Sequence, residues 1–153
     1  MPVLRERIQT SLDIEAAFVF VADFATSSQW DPGVASSERL DEGPVGVGAR
    51  YRLGIRQRGR VVPMEYRITF FTPPSRVVLV GEGSGVLATD DIRFEATDAG
   101  TRIDYIADIR LRGLLRLAEP FAGGSFSRIA RDARDGMQRA LDEQAAVAGR
   151  DVA

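Results

Sequence analysis

Along the middle of this chain, apolar and charged positions alternate in runs separated by short breaks. In 49–58, Tyr51, Leu53 and Ile55 point one way and Arg50, Arg52, Arg56 and Arg58 the other. Gly59 breaks the run. In 61–71, Met64, Tyr66, Ile68 and Phe70 oppose Pro63, Glu65, Arg67 and Thr69, and the Thr72-Pro73-Pro74-Ser75 stretch is a turn. A short apolar strand over 76–80 runs into Gly81-Glu82-Gly83-Ser84-Gly85, read as a second turn. In 86–96, Ala88, Asp90, Ile92 and Phe94 oppose Thr89, Asp91, Arg93 and Glu95. In 101–111, Ile103, Tyr105, Ala107 and Ile109 oppose Arg102, Asp104, Asp108 and Arg110. Period-two alternation with one apolar face predicts strands of an antiparallel meander that is wet on one side. Weaker alternation predicts a first strand over 3–10, and 34–40 is a further strand.

The flanks follow the helical period. Ile14, Ala17, Phe18 and Val21 share a face, Ser11 or Asp13 can cap that helix, and Asp23 ends it. A second short helical turn over 25–29 stops at Asp31, because the residue before Pro32 is pushed out of helical geometry. The last long helix is expected over 125–144, with Ser125 as N-cap and Gly149 as terminator. Its apolar stripe is Phe126, Ile129, Ala130, Ala133, Met137, Ala140, Leu141 and Gln144, and the opposite face is charged. A shorter apolar helical segment over 113–121 is separated from it by Pro120 and Gly123-Gly124. A stripe of that length has to be covered, and a twisted sheet of this many strands curls into a trough that can hold it.

Composition narrows the chemistry. The 153 residues include no Cys and no His, and the net charge is −2. This excludes disulfides, Cys/His metal sites and Ser–His or Cys–His catalysis; no metal or cofactor is expected. A near-neutral balance gives no electrostatic footprint for nucleic acid. No apolar run reaches the length of a membrane span and the N-terminus lacks a signal-peptide pattern, so the expectation is one cytoplasmic domain over 1–153. No oligomeric state is assigned.

The order of strand, two short helices, six meandering strands and long helix resembles the helix-grip fold of the START-like (SRPBCC) superfamily. It is most similar to the polyketide cyclase/dehydrase and lipid-transport group. The resemblance is carried by Phe18-Val19-Phe20-Val21-Ala22-Asp23-Phe24 followed by Trp30-Asp31-Pro32, then by Gly46-Val47-Gly48-Ala49-Arg50-Tyr51 and Ala99-Gly100-Thr101-Arg102-Ile103. It implies an α+β fold in which a curled antiparallel sheet grips a long C-terminal helix around an apolar cavity for small hydrophobic ligands. It also implies that the glycine-rich loop 43–48 lies near the cavity mouth. That loop lacks the Lys-Ser/Thr of a phosphate-binding loop and its strand-then-helix context.

The expected ligand-binding set is Trp30, Tyr51, Leu53, Met64, Tyr66, Ile68, Phe70, Asp90, Ile92, Phe94, Tyr105, Ala133 and Met137. Most of these are equally ordinary core. Hollowness is suggested by the alanines of the helix stripe and by three tyrosines whose hydroxyls need partners if buried. Trp30 can be a pocket wall, a core anchor, or both. Asp90 falls by parity on the inner face, where a carboxylate is costly unless paired or protonated. Its place beside the 81–85 turn favours a register flip or an exposed strand start that would turn it outward. The function implied is binding of a lipid-, sterol- or polyketide-like molecule. The rivals are a cyclase or dehydratase using Asp90 with Tyr66 or Tyr105, which the lack of His disfavours, and a protein-interaction module working through the outer sheet face.

Overall fold

The structure is a computed structural model. It describes residues 3–113 and 119–152, with side chains described over 3–113 and 127–149. Strand β1 (Val3–Thr10) leads into helix α1 (Ile14–Ala22), a 3-10 turn (Phe24–Thr26) and the single-turn helix α2 (Ser27–Trp30). Six strands follow: β2 (Val34–Arg39), β3 (Arg50–Gln57), β4 (Arg60–Thr72), β5 (Arg76–Gly83), β6 (Val86–Thr97) and β7 (Gly100–Leu111). They form one antiparallel sheet in the order β1-β7-β6-β5-β4-β3-β2, so the first strand closes onto the last and β1 and β2 are the edges. Helix α3 (Glu119–Val152) packs on the inner face against β1 and α2. This is the helix-grip arrangement.

The local devices are the ones the side chains allow. The Asp13 carboxylate accepts from the Ala16 N–H at 3.1 Å and caps α1. The Asp23 carboxylate accepts from Ala25 N–H, and the Thr26 hydroxyl donates to the Phe20 and Asp23 carbonyls. Four side chains of α1, Ala17, Phe18, Val21 and Ala22, are buried. At the open edge, Gln138 of α3 donates to the Gln9 carbonyl and accepts from the Gln9 N–H, which covers part of β1.

Four expectations are corrected. Helix α3 begins at Glu119, not Ser125, and runs without interruption past Pro120, Gly123 and Gly124. Pro120 sits in the first turn, where no N–H is needed. The helix also continues beyond Gly149, since a glycine weakens a helix by only about 1 kcal/mol. Its inner face is Met137, Ala140 and Leu141, with Ala130 and Ala133 half-buried, whereas Ile129 is 49% exposed and Gln144 is exposed. The side chain of Phe126 and most of the 113–121 segment lie outside the described residues.

The Gly81–Gly83 stretch belongs to β5 rather than to a turn, and it pairs with Met64, Glu65 and Tyr66 of β4. Finally, the β4–β5 register shifts between Ile68 and Phe70. That bulge inserts one residue, so Phe70 turns outward, is 42% exposed, and lies under the Arg76 guanidinium at 4.9 Å. Phe71 takes its place inside, 5.3 Å from the Phe18 ring.

Candidate functional site

The strand pairing sets the inner face in rows. One row reads Tyr66, Gly81, Ala88 and Ile109 across β4 to β7, and the next reads Met64, Gly83, Val86 and Leu111. Two glycines and an alanine leave little side chain there. Above them, α3 presents Ala130 and Ala133. Between the layers lies a cavity of about 600 Å³, within the range of small-molecule sites. Its walls include Ile55, Val62, Val86, Ile109 and Leu111, and Ile129 stands at its rim. Gly81 is needed in a direct way. A Cβ there would meet the Tyr66 ring at 2.5 Å, so the glycine sets where Tyr66 lies.

At its inner end the cavity turns polar. Asp90 is 7% exposed and faces inward with Ala88 and Ile92. The outward placement expected from the neighbouring turn is therefore wrong, because Gly81–Gly83 are strand, the turn is confined to Ser84 and Gly85, and the bulge falls in β4. The Tyr105 hydroxyl donates to Asp90 Oδ2 at 2.6 Å. Burial pushes the Asp90 carboxyl up from 3.8 to about 7; the Tyr105 hydrogen bond opposes this and the Asp31 charge adds to it. Burial, then the charges of Asp90 and Asp31, hold the Tyr66 and Tyr105 hydroxyls well above their ordinary value, so both stay protonated.

Asp31, a cavity residue, accepts from the Gly33 N–H at 2.8 Å. Its carboxyl is also raised, by burial first and by Asp132 in addition, against that hydrogen bond. The Trp30 ring stands edge-on to Tyr105 at 6.1 Å and to Phe24 at 6.4 Å. Its indole N–H is buried without a partner among the described residues. Trp30 is pinned from above by Gly136 of α3, where a Cβ would come within 1.9 Å of the Trp30 carbonyl.

The expected site residues thus separate. Trp30, Met64, Tyr66, Asp90, Tyr105, Ala133 and Met137 line the cavity. Tyr51, Leu53, Ile68, Ile92 and Phe94 are buried core and do not line it, and Phe70 is on the outside. The Tyr51 hydroxyl is buried, without a hydrogen-bond partner among the described residues. Burial and the Asp23 charge raise it. The glycine-rich loop does not line the cavity either. Gly46 lies toward Phe71, and the Gly48 N–H donates to the Ile68 carbonyl at the filled end of the trough. Sequence reasoning missed Asp31, whose only signal was its place beside Trp30, and missed Gly81 and Gly83, which resembled a turn. It also missed Arg56 and Arg60, cavity residues at the β3–β4 hairpin. No helix among the described residues is long and apolar enough to cross a membrane.

Comparison with known proteins follows the same geometry. The family described as polyketide cyclase / dehydrase and lipid transport matches residues 1–145. A crystal structure of TTHA0849 from Thermus thermophilus superposes with a TM-score of 0.73 at 16% identity, covering 92% of this chain and 97% of that one. The Zhui aromatase/cyclase from Streptomyces sp. R1128 gives 0.72 at 14% identity over 92% and 90%. A START superfamily protein from Mycobacterium smegmatis gives 0.71 at 14% identity over 93% and 95%. No curated protein sequence matches. At these identities the structural likeness speaks for the fold.

Proposed function

Since the chain belongs to the polyketide cyclase / dehydrase and lipid transport family, we propose that it binds one small hydrophobic molecule, lipid-, sterol- or polyketide-like, in the cavity between the sheet and α3. The observation that carries this reading is the cavity itself: about 600 Å³, walled by aliphatic side chains, with Asp90, Tyr66 and Tyr105 converging at one end. Desolvation of the apolar body of the ligand supplies affinity at roughly 25 cal/mol per Å² of surface buried, less the cost of immobilising it. The polar end fixes orientation. The ligand-contacting residues are Trp30, Met64, Tyr66, Asp90, Tyr105, Ala133 and Met137. Tyr51, Leu53, Ile68, Ile92 and Phe94 are not among them; they brace the walls from behind.

A second reading rests on Asp90. A carboxyl held at about 7, hydrogen-bonded by a tyrosine and facing an apolar space, has the protonation behaviour of a general acid/base. It would serve a cyclase- or dehydratase-type reaction in the same cavity.

The test is titration with a neutral lipophilic fluorophore such as N-phenyl-1-naphthylamine. The wild type should bind it near one-to-one and change Trp30 emission. Ala133→Phe, which fills the cavity from the helix side, should weaken binding about tenfold or more while the fold persists. Equal binding by both proteins would move the site elsewhere.

A further inference from the structure

The proposed cavity is electrically polarised. Its inner end holds two carboxylates, Asp90 and Asp31, and neither forms an ion pair among the described residues. Among the described residues the Asp90 carboxylate takes one hydrogen bond, at Oδ2, and its Oδ1 accepts none. Three aromatic residues surround this end: Trp30, Tyr66 and Tyr105. The wall of α3 over it is Ala133 and Met137, which carry no charge. The nearest other charges are already engaged or lie outside: Glu6 of β1 is 3.9 Å from Arg134 of α3, and Asp132 acts on Asp31 from the solvent side of α3. Of the cavity's further cations, Arg60 sits at the β3–β4 hairpin, and Arg56 directs its Nε to the Pro32 carbonyl at 3.2 Å, beside Asp31 but not ion-paired with it among the described residues.

Resting on the cavity-binding reading, we propose that the inner end receives a protonated amine, so that the ligand is an apolar molecule bearing one cationic nitrogen. An ammonium group supplies what both carboxylates lack. It donates to Asp90 Oδ1 in a charge-assisted hydrogen bond, and it faces aromatic rings whose π-surfaces attract a cation. In a space where water is displaced, these attractions exceed those an alcohol makes. A carboxylate ligand would meet repulsion from Asp90 and Asp31, and its favoured place is at Arg60. The polarity of the cavity therefore orients the ligand: amine inward, any anionic group at the hairpin.

The experiment is calorimetric titration of the full chain with three probes sharing one tail, decylamine, decanol and decanoate, below their aggregation limits. At pH 8 decylamine should bind about tenfold or more tighter than decanol, with decanoate weakest. At pH 5.5 Asp90 is protonated and the advantage of the amine should fall by about tenfold, while decanol binding stays level. Asp90→Asn should erase the advantage of decylamine over decanol at pH 8. Asp31→Asn should reduce it in part, and this variant with the wild-type pH series decides the matter if Asp90→Asn does not fold. Decanol or decanoate binding as tightly as decylamine at pH 8 overturns the amine while the cavity reading stands. No binding of any probe overturns both.

Discussion

The two ends of the trough are built from the same alternating strands and end up opposite in character. At one end Phe18, Phe71 and Phe94 meet ring to ring at 5.0 to 5.3 Å, and Phe24 fits against Tyr51 and Tyr66. The sheet rows beneath them carry Ile68, Val77, Leu79, Ile92 and Ile103, all fully buried. At the other end the rows carry Gly81, Gly83 and Ala88, and the helix above carries Ala130 and Ala133. Phe18 of α1 and Phe24 of the 3-10 turn plug the first end. The second is walled on one side by Trp30, Tyr66 and Tyr105, and no described side chain fills the space before them. The difference teaches that a cavity in this fold is set by where small residues line up across strands. The number of large ones elsewhere has little influence.

That contrast can be broken from either side. The largest effect is expected at the filled end. Phe18→Ala should cost about 3–5 kcal/mol in a urea melt, since the ring touches two others and the site has no slack. A cost below about 1 kcal/mol would mean that this end is not close-packed. Next is the strap between the two ends. Gly136→Ala forces a methyl against the Trp30 carbonyl and should cost about 3 kcal/mol, with Trp30 emission shifting to the red as the indole becomes wetter. An unchanged spectrum would contradict the contact.

The third effect, of similar size to the second and opposite in sign, belongs to the hollow end. Asp90 keeps its proton up to about pH 7 when folded but loses it near 3.8 when unfolded, so the unfolded state binds fewer protons in between. Stability should therefore fall as pH rises from about 4 to 7. Asp90→Asn should remove that loss: equal to wild type below pH 4, and more stable at pH 8 by roughly 2–4 kcal/mol. Parallel pH profiles for the two proteins would place Asp90 in water.

The strands and the α1 face are legible in the sequence because period-two and period-3.6 patterns are strong and the faces of the sheet differ so sharply in polarity. The misreadings share a cause. A glycine in a strand and a glycine in a turn look alike in sequence, so β5 reads as ending at Val80 and the two-residue turn at Ser84 and Gly85 reads as a five-residue one. The bulge that exchanges Phe70 for Phe71 leaves no mark on alternation, since both are phenylalanine. The stripe on α3 reads as wholly buried, yet Ile129 lies at the cavity, where it is 49% exposed. Half of the candidate site follows from parity alone. The division between lining and bracing residues does not, because it depends on which rows carry glycine and alanine, and rows are a property of register.

The most direct test of a hollow end beside a filled one uses the methionines. Of three in the chain, Met64 and Met137 line the cavity and Met1 lies at the terminus. Methyl-labelled methionine, with labelled isoleucine as a control, gives resonances from both ends in one NMR spectrum. On titration with decanol, the Met64 and Met137 methyls should shift together and saturate at one equivalent, while Met1 and the Ile92 and Ile103 methyls stay in place. Shifts centred on Ile92 and Ile103, or on Met1 alone, would contradict the account.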